Sequence, residues 1–99
     1  DRNKLSATDS VQDDKMFNNL AVTAMNLGWQ AENFNGHDFA SIEQAFTTAR
    51  KAIAPALLIA HTIKGKGVSF MEDNVKWHYG VPNEQEYQQA LEELSRGFA

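Results

Sequence analysis

Between Pro55 and Gly65 the chain reads Ala-Leu-Leu-Ile-Ala-His-Thr-Ile-Lys, an apolar run with one imidazole in it. The run over residues 56–63 shows no polar alternation, so it does not read as a strand with one wet face. It is also far too short to cross a bilayer. A short continuous apolar run bounded by proline and glycine predicts a strand buried on both faces, the environment of a parallel sheet. A parallel sheet needs helical crossovers, and the flanking sequence supplies helical patterns.

Upstream, Phe17, Leu20, Ala21, Ala24 and Leu27 make a helical stripe closed by Gly28. Residues 29–34 predict a short strand that Asn35-Gly36 breaks. In the next segment Ser41 and Gln44 match a capping box, and Ile42, Ala45, Phe46, Ala49 and Ile53 form the expected buried stripe up to Pro55. Residues 64–81 contain three glycines and no helical period, so a long loop is expected, of the kind that is usually functional or disordered. Asn83 and Glu86 cap a last helix, with Tyr87, Ala90, Leu91, Leu94 and Phe98 on one face. Residues 1–14 are polar and read as a loop. Helices alternating with strands predict an α/β layer. Two strands are too few for a doubly wound sheet, so further strands are expected from elsewhere.

Composition narrows the function classes. A chain of 99 residues with 42% hydrophobic and 22% charged residues is an ordinary globular domain. The net charge of -4 gives no basic face for nucleic acid. The lack of cysteine excludes disulfides and thiolate metal sites and fits a reducing compartment, so a cytoplasmic location is expected, with no membrane partner.

In parallel sheets, ligands gather beyond the carboxyl ends of the strands. Asn3, Gly36-His37-Asp38 and Lys64-Gly65-Lys66-Gly67 all follow a predicted or presumed strand end. Glycines let a backbone approach a ligand closely, and the two lysines offer point charges to a phosphate, although a solvated basic turn has the same composition. Asn3 and Leu5 offer an amide oxygen and a carbonyl, which a hard cation accepts but which a simple turn also uses. His78, between Trp77 and Tyr79 on the long loop, reads equally as an acid–base group and as a packing residue. His61 reads as a hydrogen-bonded strand histidine. His37 and Asp38 read as structural, with Asp38 able to cap the following helix.

Taken in order, Asp1-Arg2-Asn3-Lys4-Leu5, Leu27-Gly28-Trp29, Gly36-His37-Asp38, the stretch from His61 to Glu72, and Trp77-His78 are more specific together than apart. This series resembles the later part of the thiamine-diphosphate-binding domain of transketolases, especially the form encoded as a separate N-terminal subunit. The resemblance covers nearly the whole chain. It implies a parallel-sheet, three-layer fold, of which residues 1–99 are a partial domain. It also implies transfer of a two-carbon ketol unit between sugar phosphates, as in the pentose phosphate pathway, with thiamine diphosphate and Mg2+. By the same resemblance, Asn3 and Leu5 are metal ligands, and Asn3, Lys64 and His78 are cofactor-binding. His78 is the catalytic-site candidate. The implied partners are the remaining transketolase domains or a C-terminal subunit, in a homodimer or heterotetramer.

Two departures set further expectations. The family's Gly-Asp-Gly segment, which carries another metal ligand, is absent, and no Gln stands near Leu5 as in relatives. The opening on Asp1 reads as a piece of a longer sequence or a truncated product, and the 99 residues alone are expected to be inactive. Rival readings are a deoxyxylulose-phosphate or dihydroxyacetone synthase, which share the Thr-Ile-Lys-Gly-Lys-Gly stretch, and a truncated non-catalytic module that binds a partner through a sheet edge.

Overall fold

A computed structural model describes residues 1–6 and 19–97. They divide into two compact units, the first of residues 1–2 and 19–62, the second of residues 3–6 and 63–97. The expected contribution of Phe17 to the first helix, that of Phe98 to the last, and most of the predicted opening loop lie outside the described residues.

The first unit is α/β, as the alternating pattern predicts. Helix α1 (Leu20–Asn26) ends in a left-handed glycine, strand β1 (Gln30–Asn35) follows, and helix α2 (Phe39–Lys51) crosses to strand β2 (Ala56–His61). The stop after α1 is a Schellman motif. Gly28, at φ +84°, donates its N–H to Met25 O at 3.0 Å, and Trp29 N–H reaches back to Ala24 O at 3.0 Å. β1 and β2 pair in parallel, with Gln30 beside Ala56 and Asn35 beside His61. Arg2 forms a further parallel bridge to His61 on β2. The chain therefore leaves this ladder after Arg2, Asn35 and His61, all at one level of the register.

Three expectations are corrected here. The cap of α2 is Asp38, not a Ser41–Gln44 box. The Asp38 carboxylate accepts from Ser41 N–H at 2.8 Å and Ser41 Oγ at 2.5 Å, so the helix starts three residues earlier than the box would allow. These two bonds, the hydroxyl's first, hold the Asp38 carboxyl below its ordinary pKa. Second, the buried face of α2 is narrower than its apolar stripe. Ala45 is fully buried, but Phe46 is 49% exposed, and Ile53 lies past the helix end, fully exposed. Third, β2 stops at His61 rather than Ile63, and only Ile59 in it is buried, because the two helices of this unit cover only part of the faces of its two strands.

The second unit holds the long loop, a 3-10 turn (Val75–His78) within it, and helix α3 (Glu84–Gly97). The predicted capping box of α3 forms: Glu86 N–H donates to Asn83 Oδ1 at 2.8 Å, and Asn83 N–H donates to Glu86 Oε2 at 2.9 Å. Tyr87 and Leu91 on its expected apolar face are each more than two-fifths exposed. No helix among the described residues is long and apolar enough to cross a membrane.

Candidate functional site

The loop after β2 is closed on itself. Asp73 N–H donates to Lys64 O at 3.0 Å and joins the two ends of a ten-residue segment. Inside it, Val68 N–H donates to Gly65 O at 3.1 Å, and Met71 and Glu72 N–H groups both reach Val68 O. Val68 is buried. Gly65 is required at its position: φ is +76°, and a Cβ there would stand 2.6 Å from Met71 O. A run of residues without helical period is thus a folded loop rather than a floppy one.

The lysines of this loop have different surroundings. Lys66 Nζ lies 3.7 Å from Glu72 Oε1, and the same oxygen accepts from Gly67 N–H at 3.0 Å. Lys66 thus has a carboxylate beside it within the loop, so the two lysines of the phosphate cradle that the spacing suggested do not stand alike. Lys64 is half-buried and makes no ion pair among the described residues.

Helix α3 latches the loop. Glu93 accepts from Ser69 N–H at 2.5 Å and from Ser69 Oγ at 2.7 Å, and Gln89 Nε2 donates to the same carboxylate at 2.9 Å. These bonds, the Ser69 backbone donor foremost, hold the Glu93 carboxyl below its ordinary pKa. Sequence reading missed both residues, because a contact across 24 positions leaves no local pattern.

His78 ends the 3-10 turn. Asn74 caps that turn through Lys76 N–H at 3.1 Å. Trp77 fixes it to the loop, with Nε1 donating to Phe70 O at 3.0 Å and its ring meeting the Phe70 ring edge-on at 5.3 Å. The exposed His78 ring packs edge-on against Tyr79 at 4.6 Å. Trp77 therefore does the packing, and the neighbouring imidazole stays accessible.

Asn3 and Leu5 form a tight turn. Asn3 Oδ1 accepts from Leu5 N–H at 2.9 Å, and Lys4 between them has φ +64°. Among the described residues no group of three or more His, Cys, Asp or Glu could hold a metal. The neutral oxygens of Asn3 and Leu5 suit a hard cation that shares its oxygens with phosphates, and they are too few to cage one. Asn3, Leu5, Lys64 and His78 all belong to the second unit.

The other two histidines have hydrogen-bond partners within the first unit. His61 Nε2 lies 2.7 Å from Asn33 Oδ1 across the parallel pair, as expected of a hydrogen-bonded strand end. His37 is exposed in the turn after β1, where its N–H donates to Asn35 Oδ1 at 2.9 Å.

No protein-family model matches the chain. Individual relatives do. It is 36% identical to an apulose-4-phosphate transketolase subunit of Phocaeicola vulgatus, over 96% of this chain and 34% of that protein. It is 32% identical to the protein of the same description from Actinobacillus succinogenes, over 95% of this chain and 34% of the relative. A transketolase of Sinorhizobium medicae is 30% identical over 95% of this chain and 13% of its own length. The chain thus spans about a third of the subunit-type relatives it matches. With a parallel α/β ladder and this likeness along nearly its whole length, the chain belongs to the transketolase family.

Proposed function

We propose that this chain is part of the thiamine-diphosphate-binding domain of a transketolase that moves a two-carbon ketol unit between sugar phosphates. One observation carries the reading: 36% identity across 96% of the chain to a protein described as a transketolase subunit. The names of two relatives point to a ketose phosphate such as apulose 4-phosphate as the donor. Because the chain spans about a third of those subunits, the reaction belongs to a larger assembly, and the chain's part is to hold and orient.

In this reading the Asn3 amide oxygen and the Leu5 carbonyl ligate Mg2+ bound to the diphosphate. Their neutral charge suits a cation whose negative ligands come from phosphate oxygens. Lys64 adds a positive charge beside the diphosphate, free of the internal pairing that occupies Lys66. His78 donates a proton or hydrogen bond to the diphosphate or sugar oxygens, and its exposure leaves room for either. The closed loop fixes the backbone where Lys64 begins and where the turn to His78 starts, so that part of the chain has no ordering to do when substrate arrives. Bound thiamine diphosphate supplies the carbanion chemistry that breaks and makes the carbon–carbon bond.

The test is to express the chain with the rest of a transketolase, in one polypeptide or as a complementing subunit. Ketol transfer is then assayed with Mg2+ and thiamine diphosphate. We expect turnover from the assembly and none from the 99 residues alone. His78→Ala is expected to lower kcat/KM by about 100-fold or more while the assembly stays intact. An assembly that forms but turns over equally well with His78→Ala and Lys64→Met would remove both residues from the site.

A further inference from the structure

The 3-10 turn that ends in His78 is only four residues long, and Lys76 and His78 in it are exposed. A single turn has too few hydrogen bonds of its own to keep one shape. Two side chains hold it to the loop instead, and both end on one atom. Trp77 Nε1 donates to Phe70 O at 3.0 Å, and Asn74 Nδ2 donates to the same oxygen at 3.3 Å. The Asn74 amide works in both directions, because its Oδ1 accepts from Lys76 N–H at 3.1 Å and so joins the turn to the loop. The Phe70 carbonyl is anchored in turn. Ser69, the residue before it, gives both its N–H and its hydroxyl to Glu93 on α3.

This arrangement decides where His78 stands. With three residues per turn, neighbours lie about 120° apart around the axis. Seating Trp77 against Phe70 therefore turns His78 to another side of the turn, where it is exposed. Beyond it, Gly80 N–H donates to Lys76 O at 3.0 Å and closes the chain that follows. The imidazole has the edge-on Tyr79 ring at 4.6 Å and, among the described residues, no hydrogen-bond partner. What the fold holds is the backbone beneath the ring. A misplacement of about 1 Å in a group that must reach a reacting atom can cost about 100-fold in rate.

We infer that Trp77 and Asn74 are positioning residues for His78. Through the Phe70 carbonyl they fix the turn from which the imidazole reaches the sugar or diphosphate, and they touch neither themselves. The inference rests on the reading that gives His78 a part in ketol transfer, and it adds the two residues that make that part possible.

A double-mutant cycle in the assembled transketolase tests it. Trp77→Phe keeps an aromatic ring against Phe70 and loses the indole donor. Asn74→Asp keeps the acceptor for Lys76 N–H and loses the amide donor. Each is made alone and in a His78→Ala background, and kcat/KM is measured on assemblies shown intact by size-exclusion chromatography. Should one variant fail to assemble, the other carries the test. Each single variant is expected to lower kcat/KM by about tenfold, since each loses one hydrogen bond that holds the turn. In the His78→Ala background neither should lower it by more than about twofold, because residues that act through one group do not add. A merely structural role would give the same loss in both backgrounds. Losses that persist in full without the imidazole overturn the inference, as does a variant that turns over like the unaltered assembly. If His78→Ala itself costs nothing, the role given to His78 falls and the inference falls with it. A His78→Ala loss together with fully additive Trp77→Phe and Asn74→Asp losses overturns the inference alone.

Discussion

Replacing Gly65 with alanine separates two reasons why a glycine can be indispensable. At φ +76° an alanine suffers left-handed backbone strain, and its Cβ would stand 2.6 Å from Met71 O and 2.8 Å from Met71 Cβ. Each penalty occurs alone elsewhere. Gly28 has φ +84°, and a Cβ there would have nothing within 4 Å, so Gly28→Ala carries only the strain, about 1–2 kcal/mol. Gly80 has no left-handed φ, but a Cβ there would meet Lys76 O at 2.8 Å and Trp77 Cε3 at 3.0 Å, so Gly80→Ala carries only the overlap, about 1–3 kcal/mol. Gly65→Ala combines both and should cost about 2–5 kcal/mol. That is a large share of the roughly 5–15 kcal/mol available to a small domain. Equilibrium urea unfolding measures it, followed by far-ultraviolet circular dichroism, which reads helices in both units. The slope of the transition should stay constant while the midpoint falls. A Gly65→Ala cost no greater than that of Gly28→Ala would refute the reasoning, because the loop would then have room that its carbonyl positions deny.

Asp38→Ala removes the cap of α2 and should lower the melting temperature, whereas Asp38→Asn, which still accepts from Ser41 N–H, should recover most of the loss. Circular dichroism melts of the two variants decide it. Glu93 has a lowered pKa in the folded state, so its latch on Ser69 stabilises the fold at neutral pH. That contribution is lost as pH falls through the lowered folded value. In Ser69→Ala the NMR-detected Glu93 titration should move up towards an ordinary glutamate, though not fully, since the backbone donor of residue 69 remains. Ala45→Leu should cost about 1–3 kcal/mol in denaturant unfolding, because Ala45 is fully buried where α2 meets the sheet.

The order of elements was legible because each has a local signature: the apolar run of β2, the Gly28 stop, and the Asn83–Glu86 box. The start of α2 was misplaced because Asp38 and Ser41 both fit a cap, and only the backbone decides which of them lies outside the helix. The burial of Phe46 and Ile53 was misjudged for a different reason. A hydrophobic stripe records every surface a residue meets, including surfaces supplied by other parts of an assembly, and the described residues cover only the Ile42, Ala45 and Ala49 side of that helix.

The same distinction explains the candidate site. Asn3 and Lys64 were visible as residue types after strand ends and His78 as an imidazole on the long loop, and the parallel register puts Arg2, Asn35 and His61 at one level. What pattern reading could not reach is the division of labour between the two lysines. Lys64 and Lys66 are chemically identical and two residues apart, and they differ because Lys64 is half-buried and Glu72 folds back onto Gly67 N–H and Lys66. A carboxylate that neutralises one lysine of a pair leaves the other as the stronger attractor for an anion. If the loop serves a diphosphate, Lys64→Met should therefore weaken cofactor binding in the assembled enzyme far more than Lys66→Met. Glu72→Gln should narrow that difference by releasing Lys66 to compete. Equal losses from the two lysine variants in a calorimetric titration would mean that the ion pair seen within the loop does not govern which charge meets the ligand.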